Sequence, residues 1–169
     1  MKKITVLAAA LMIIALANPA AQAGDKGNND RYWVGTWSAS PLGGPARIKE
    51  VNNATIRQIA HISLGGDTVQ VRFSNEMGTT PLVIDEARIA RSAGGAQIVP
   101  GTSRQLTFGG ETSITIPPGS PALSDPVSLH VPALSDVAIS TYFSAATPTS
   151  TYHELAMRTN YISPGNLTN

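Results

Sequence analysis

Between Thr55 and Asn75 the chain reads TIRQIAHISLGGDTVQVRFSN. Two β-rich runs flank Gly65-Gly66-Asp67, whose residue types favour a tight turn, so the stretch predicts a hairpin. In the second run Val69, Val71 and Phe73 alternate with Gln70 and Arg72, the period of a half-buried strand. The same alternation returns twice. Val127, Leu129 and Val131 alternate with Ser128 and His130, and Val137, Ile139 and Thr141 with Ala138 and Ser140, ahead of Tyr142-Phe143. Shorter runs end at turn signals: Gln97–Val99 before Pro100-Gly101, Gln105–Phe108 before Gly109-Gly110, and Ser113–Ile116 before Pro117-Pro118-Gly119. Turns recurring at about 8–12 residues with no long helical period predict an all-β sandwich or barrel.

The segment Leu82–Ala90, LVIDEARIA, carries good helix formers in Glu86, Ala87 and Arg88. It is short, follows Pro81 and precedes Gly94-Gly95, and those boundaries favour a strand. Met77–Pro81 reads as a turn and Pro41–Pro45 as a loop. Order is expected from Tyr32, where Trp33 and Trp37 frame Val34 and Thr36. Prolines sit at run boundaries, where a missing N–H does least harm to a ladder. With no internal repeat and no charge block, one antiparallel, jelly-roll-like β-sandwich over residues 32–165 is the economical reading.

Composition changes the picture at the N-terminus. Lys2 and Lys3 precede an apolar run from Ile4 to Ala17, then Asn18, Pro19 and the small-residue site Ala21-Gln22-Ala23. This is the layout of a secretory signal peptide, predicting cleavage after Ala23 and a secreted or periplasmic product. The run is short of the roughly 20 residues a membrane span needs, so no membrane association is expected after cleavage. Residues 24–31 read as a flexible leader. Removing Lys2 and Lys3 takes the formal net charge from +1 to −1. No basic stripe marks a nucleic-acid binder. The absence of cysteine excludes disulfides and thiolate metal sites, so stability must come from an apolar core.

An ordered set of short motifs then adds a family likeness. It begins with Trp33-Val34-Gly35-Thr36-Trp37-Ser38-Ala39-Ser40 and Thr55–His61, followed by Leu64-Gly65-Gly66-Asp67 and Val71–Asn75. It continues through Gly78, Pro81-Leu82, Pro100-Gly101, Leu106–Gly110, Ile114–Pro117 and Ser124–Val127 to Gly165-Asn166. In this order the set resembles the N-terminal region of secreted SGNH/GDSL-type hydrolases. The resemblance implies a β-sandwich ahead of a separate α/β esterase domain. That domain would hold the Gly-Asp-Ser nucleophile block, the oxyanion-hole Asn and the Asp-x-x-His pair. None of those residues maps onto a position here, so no catalytic residue is carried over, and residues 166–169 read as the start of a linker to that domain.

The remaining candidates are judged on their own chemistry. Gly66-Asp67-Thr68 is the nearest string to the nucleophile block, but its setting reads as a hairpin turn rather than a strand entering a helix. His61, His130 and His153 lack the partner spacing of a zinc site, and no metal or cofactor is expected. His61 reads as a packed or hydrogen-bonded strand residue and His130 as solvent-facing. His153 beside Glu154 is the histidine best suited to a functional role. Arg57 and Arg72 are expected on paired strands, ordering the sheet surface. Tyr32, Trp33, Trp37, Tyr142, Tyr152 and Tyr161 could stack on a sugar ring, although in a small sandwich most aromatics belong to the core. The Asn53-Ala54-Thr55 and Asn166-Leu167-Thr168 sequons read as chance matches to the N-glycosylation pattern.

Together these readings predict a non-catalytic accessory domain of a secreted ester hydrolase, inactive alone, whose partner is an esterase catalytic domain. The substrate-binding residues stay unknown at this level. A stand-alone carbohydrate-binding module is the second expectation.

Overall fold

Two of the three alternating runs become single strands, the run Val69–Phe73 is divided at Gln70-Val71, and none of the described residues is helical. The computed structural model describes residues 32–44, 50–154 and 157–169. The expected signal peptide (1–23) and leader (24–31) lie outside the described residues. Val34–Asn169 form one compact unit, to which the following description applies.

In chain order the early strands are β1 (Leu42–Gly43), β2 (Glu50–Val51), β3 (Ala54–Ile62), β4 (Gly66–Val69) and β5 (Arg72–Asn75). Next come β6 (Leu82–Ile84), β7 (Glu86–Gly94), β8 (Gln97–Ile98), β9 (Arg104–Gln105) and β10 (Ile114–Ile116). The last are β11 (Ser120–Leu123), β12 (Val127–Val131), β13 (Ser135–Phe143), β14 (Thr147–Pro148), β15 (Thr151–Tyr152) and β16 (Tyr161–Pro164).

One layer is a six-stranded sheet in the order β16-β3-β13-β7-β8, with β9 also on β7. Its long central strands β3, β13 and β7 are antiparallel, with Val137 opposite both Ala60 and Arg91 and Ile139 opposite both Gln58 and Ile89. The other layer is a two-stranded ribbon. Residues 66–84 run antiparallel to residues 114–131 through the pairs β4-β12, β5-β11 and β6-β10. Side chains of both layers meet in one cluster: Ala60, Ile62, Ile89 and Val137 from the sheet, and Ile84, Ile116, Leu129 and Val131 from the ribbon. The all-β, sandwich-like architecture predicted from the turn spacing is therefore present. The segment Leu82–Ala90 is extended, as its boundaries predict. It forms two strands, because the chain crosses from ribbon to sheet at Asp85. There Asp85 N donates to Tyr142 O at 3.1 Å, and Ser144 N donates to the Asp85 carboxylate at 2.8 Å.

The ribbon is kinked where polar side chains replace ladder bonds. Between β4 and β5, Val71 N donates to Ser124 Oγ at 3.0 Å while Ser124 N donates to Val71 O at 2.9 Å. Between β5 and β6 the buried Asn75 amide donates to the carbonyls of Thr80, Ile116 and Pro117. Asn75 O in turn accepts from Gly78 N and Gly119 N, both at 3.0 Å. A β-carbon on residue 78 would fall on the Asn75 side chain, so Gly78 is required by space.

The predicted hairpin over Thr55–Asn75 does not form. β3 pairs with β13 and β16, whereas β4 pairs with β12, so the chain leaves one layer at Ile62 and joins the other at Gly66. Gly65 serves a close approach, because a β-carbon there would lie 2.5 Å from Val131 O and 2.6 Å from Ala133 N. Gly66-Asp67-Thr68 accordingly lies within strand β4. Arg57 on β3 and Arg72 on β5 are likewise not on paired strands. Glycine supplies a turn-like signal in both situations, and local sequence cannot separate a tight turn from a backbone crossing.

Gly65→Ala should cost about 1–3 kcal/mol by overpacking a backbone that side-chain motion cannot relieve. The measurement is the urea unfolding midpoint, with Gly35→Ala as control, since a β-carbon at residue 35 meets nothing within 4 Å.

Candidate functional site

Each histidine is held by a partner other than a hydroxyl nucleophile. His61 and Asp136 are direct cross-strand neighbours, with Nδ1 and Oδ1 2.6 Å apart. Arg158 reaches the same carboxylate oxygen at 3.4 Å. His130 faces solvent, as its alternation predicts, and its Nδ1 lies 2.6 Å from Asp67 Oδ1 across the β12-β4 ladder. Both pairs are exposed and of the type that contributes little to stability. His153 packs edge-on against Trp37, with ring centroids 5.5 Å apart. Among the described residues, no group of three or more His, Asp or Glu side chains could hold a metal ion.

The aromatic expectation fails. None of the six residues named for stacking lies in the buried core; Tyr32, Trp33 and Trp37 are exposed, and Tyr142, Tyr152 and Tyr161 half-buried. Aliphatic side chains and the phenylalanines Phe73, Phe108 and Phe143 fill the interior instead. Tyr142 has a different task, donating to Asn53 Oδ1 at 2.8 Å.

The richest polar cluster lies on the outer face of the sheet and fastens the segment 165–168. Arg57 donates to Ser140 Oγ at 2.8 Å and to the carbonyls of Ala96 and Leu167, both at 2.7 Å. Burial lowers its pKa from the ordinary arginine value. Thr55 Oγ1 donates to Gly165 O and accepts from Leu167 N. Glu86 accepts from Asn166 Nδ2 at 2.7 Å and Thr168 Oγ1 at 2.9 Å, with Arg88 3.5 Å away. Burial pushes the Glu86 carboxyl up, but these two hydrogen bonds and the Arg88 charge outweigh it and hold the pKa below its ordinary value. Because these groups satisfy one another, the cluster is a fastener, and it borders a small concavity of about 190 Å³ beside Arg57, Tyr161 and Leu167.

A wider concavity lies on the inner face of the sheet. A groove of about 1140 Å³ opens between the sheet and the ribbon. Its floor is the core-facing alternation of β3 and β13, including Ile56, Gln58, Ile139 and Phe143, with Ile162 of β16 alongside. One wall is residues 69–76 of the ribbon, and the others are residues 36–41 and 147–154. Trp37, His153 and Glu154 therefore share this groove, although His153 and Glu154 are sequence neighbours that alternation alone would separate. Gln58 is the informative floor residue: it stands on the inner face of a central strand, yet it is exposed. Ile162 is 43% exposed beside it. Asn160 anchors this flank, its Oδ1 accepting from Ile59 N at 3.0 Å.

The wall carries one charge pair. Arg72 donates to Glu76 at 3.1 Å, and Ser74 Oγ donates to the other Glu76 oxygen at 2.8 Å. The Ser74 hydrogen bond, followed by that of Arg72, lowers the Glu76 pKa. Asp125 is also lowered, by hydrogen bonds from Gly110 N, Thr107 Oγ1 and Gly109 N, and so pins the turn at Gly109-Gly110. Sequence reasoning missed Gln58, Asn160 and Ser124 as individuals. Their roles depend on which strands pair, and no local pattern carries that information. No protein-family model matches the chain, and no curated protein matches it either.

Glu86 gives the protein a pH dependence whose sign follows from its lowered pKa. The unfolded chain binds the proton more readily than the folded one, so the stabilisation is full above the ordinary glutamate range, about 4.3. It is lost as pH falls through the lower, folded value. Glu86→Gln should therefore flatten the acid side of a plot of thermal midpoint against pH, and an unchanged acid slope would contradict this account.

Proposed function

We propose that the protein is a non-catalytic β-sandwich module of a secreted SGNH/GDSL-type ester hydrolase, with ester hydrolysis carried by a C-terminal catalytic domain. Export through a signal peptide cleaved after Ala23 belongs to the same reading. Its support in the sequence is the ordered motif set from Trp33 to Asn166. The single structural observation that carries it is a contrast in chemistry. The described histidines are occupied by Asp136, Asp67 and Trp37, whereas the large concavity has a largely aliphatic floor under walls rich in serine and threonine. Nucleophilic hydrolysis needs a hydroxyl activated by a base, close to donors that stabilise an oxyanion. A groove of this composition instead suits holding a ligand or partner.

The module would then position substrate for the hydrolase domain, or pack against it. The purified chain should not be labelled by a fluorophosphonate probe under conditions that label an active serine hydrolase. Stoichiometric labelling at a serine, lost on replacing that serine by alanine, would overturn the reading.

One observation favours carbohydrate binding as a second reading. Trp37 is 47% exposed in the groove wall, beside hydroxyls of Ser38, Ser40 and Thr151. Under this reading Trp37→Ala would weaken retention on an immobilised polysaccharide about two- to twelvefold, since one stacked ring is worth about 0.5–1.5 kcal/mol. The thermal midpoint checks that the variant is folded.

A further inference from the structure

We propose that the groove takes a single straight acyl chain whose uncharged polar head stays at the mouth. This rests on the reading of the chain as a binding module, and it names the class of ligand bound.

The floor and the ribbon wall face each other with matching chemistry. Ile56, Ile139 and Phe143 belong to the sheet, and Val71, Phe73 and Leu82 to the ribbon. Such a slot removes methylenes from water on both sides, the contact that a flexible linear chain makes best. A flat sugar ring needs a broad aromatic face instead. Trp37 meets His153 at 63° and Phe73 meets Phe108 at 61°, both edge-on, so neither pair forms a platform.

Charge decides the head group. The ionisable side chains among the described lining residues are Arg72, Glu76, Tyr152, His153 and Glu154, and none lies on β3, β13 or β16. Arg72 and Glu76 neutralise each other, which leaves Glu154 as the unmatched anion of the lining. A free carboxylate would meet Glu154 with no spare cation among the described lining residues, whereas an ester or glycoside head meets the hydroxyls of Ser150 and Thr151. The volume, about 1140 Å³, lies just above the usual range of ligand clefts, about 300–1,000 Å³, and leaves room for a chain with its head.

The free edge of β4 and β5 raises a different occupant, an added peptide strand. That edge is a poor template. Its ladder breaks between Val69 and Arg72, where Val71 is bonded to Ser124 through both N–H and C=O, and Asn75 O is already taken by Gly78 and Gly119. An interrupted, kinked edge of this kind discourages strand pairing.

The test uses a Trp33→Phe protein, which leaves Trp37 as the sole tryptophan. It is titrated with neutral n-alkyl glucosides of increasing chain length, held below their micelle-forming concentrations, and followed by Trp37 fluorescence and calorimetry. Each added methylene should tighten Kd about fourfold, corresponding to about 0.8 kcal/mol, until the chain fills the groove and the gain stops. Gln58→Trp, which fills the exposed part of the floor, should weaken the longer glucosides at least about tenfold by the same arithmetic. Gln58→Glu, nearly the same size, should weaken them by placing a charge beside the chain. Leu123→Ala, exposed and outside the groove, should leave binding unchanged.

A Kd independent of chain length would overturn the proposal, as would glucose binding as tightly as its alkyl derivatives, which indicates a sugar site. Displacement of the glucosides by an extended valine–threonine peptide at equal strength would overturn it in favour of strand addition. Full binding by both folded Gln58 variants would do the same by placing the chain elsewhere. Fluorophosphonate labelling fails or succeeds independently of this series, so loss of the non-catalytic reading and loss of the acyl site are separate results.

Discussion

A two-stranded ribbon cannot cover the inner face of this sheet. Strands stand about 4.8 Å apart, so the five positions from β16 across to β8 and β9 span about 24 Å, while the ribbon spans about 10 Å. The inner face is apolar over its central strands and must be removed from water where it can be. The ribbon packs over part of it, burying Ala87, Ile89 and Val137 against Ile84, Ile116 and Leu129. Toward the β16 edge the face is left open, and there Gln58 and Ile162 are exposed. The groove runs from the ribbon over the part of the sheet that the second layer leaves uncovered.

How far the ribbon reaches is set by a few polar groups inside it. Ser124 and Asn75 are almost fully buried, and each substitutes side-chain hydrogen bonds for ladder bonds at a kink. A buried polar group must be paired, so each kink has a definite geometry rather than a choice of several. Gly65 and Gly78 add to this by allowing contacts that a β-carbon would block. The opposite face of the sheet is closed by different means. Arg57, Thr55 and Glu86 bind residues 165–168 there, and Ala138 and Ser140 are consequently buried on the face that simple alternation assigns to solvent.

The same imbalance between layers gives the groove its chemistry. Its floor inherits the aliphatic residues that a closed sandwich would bury, so it is apolar for a structural reason. What makes it more than an unfinished core is the mouth. Trp37, His153 and Glu154 converge there with a row of serine and threonine hydroxyls, and Thr36 anchors that segment by accepting from Ser63 N and exchanging hydrogen bonds with Leu64. A held rim around an apolar floor is the arrangement expected of a binding cleft.

The sequence by itself determined the all-β character, the strand identity of the alternating runs and the solvent position of His130. These follow from the two-residue period and from turn chemistry, which act within a few residues. It also pointed to Leu82–Ala90 as extended, because Pro81 and Gly94-Gly95 bound it too closely for a helix. Pairing was decided elsewhere. Thr55–Asn75 carries hairpin chemistry, yet β3 pairs with β13 and β16 rather than with β4, and Gly65 serves a crossing between layers. The exposed aromatics, the polar kinks at Ser124 and Asn75, and the groove itself all follow from that choice. Pairing partners are compared over distances of up to about 110 residues, as between Thr55 and Gly165, and only the assembled layers can make that comparison.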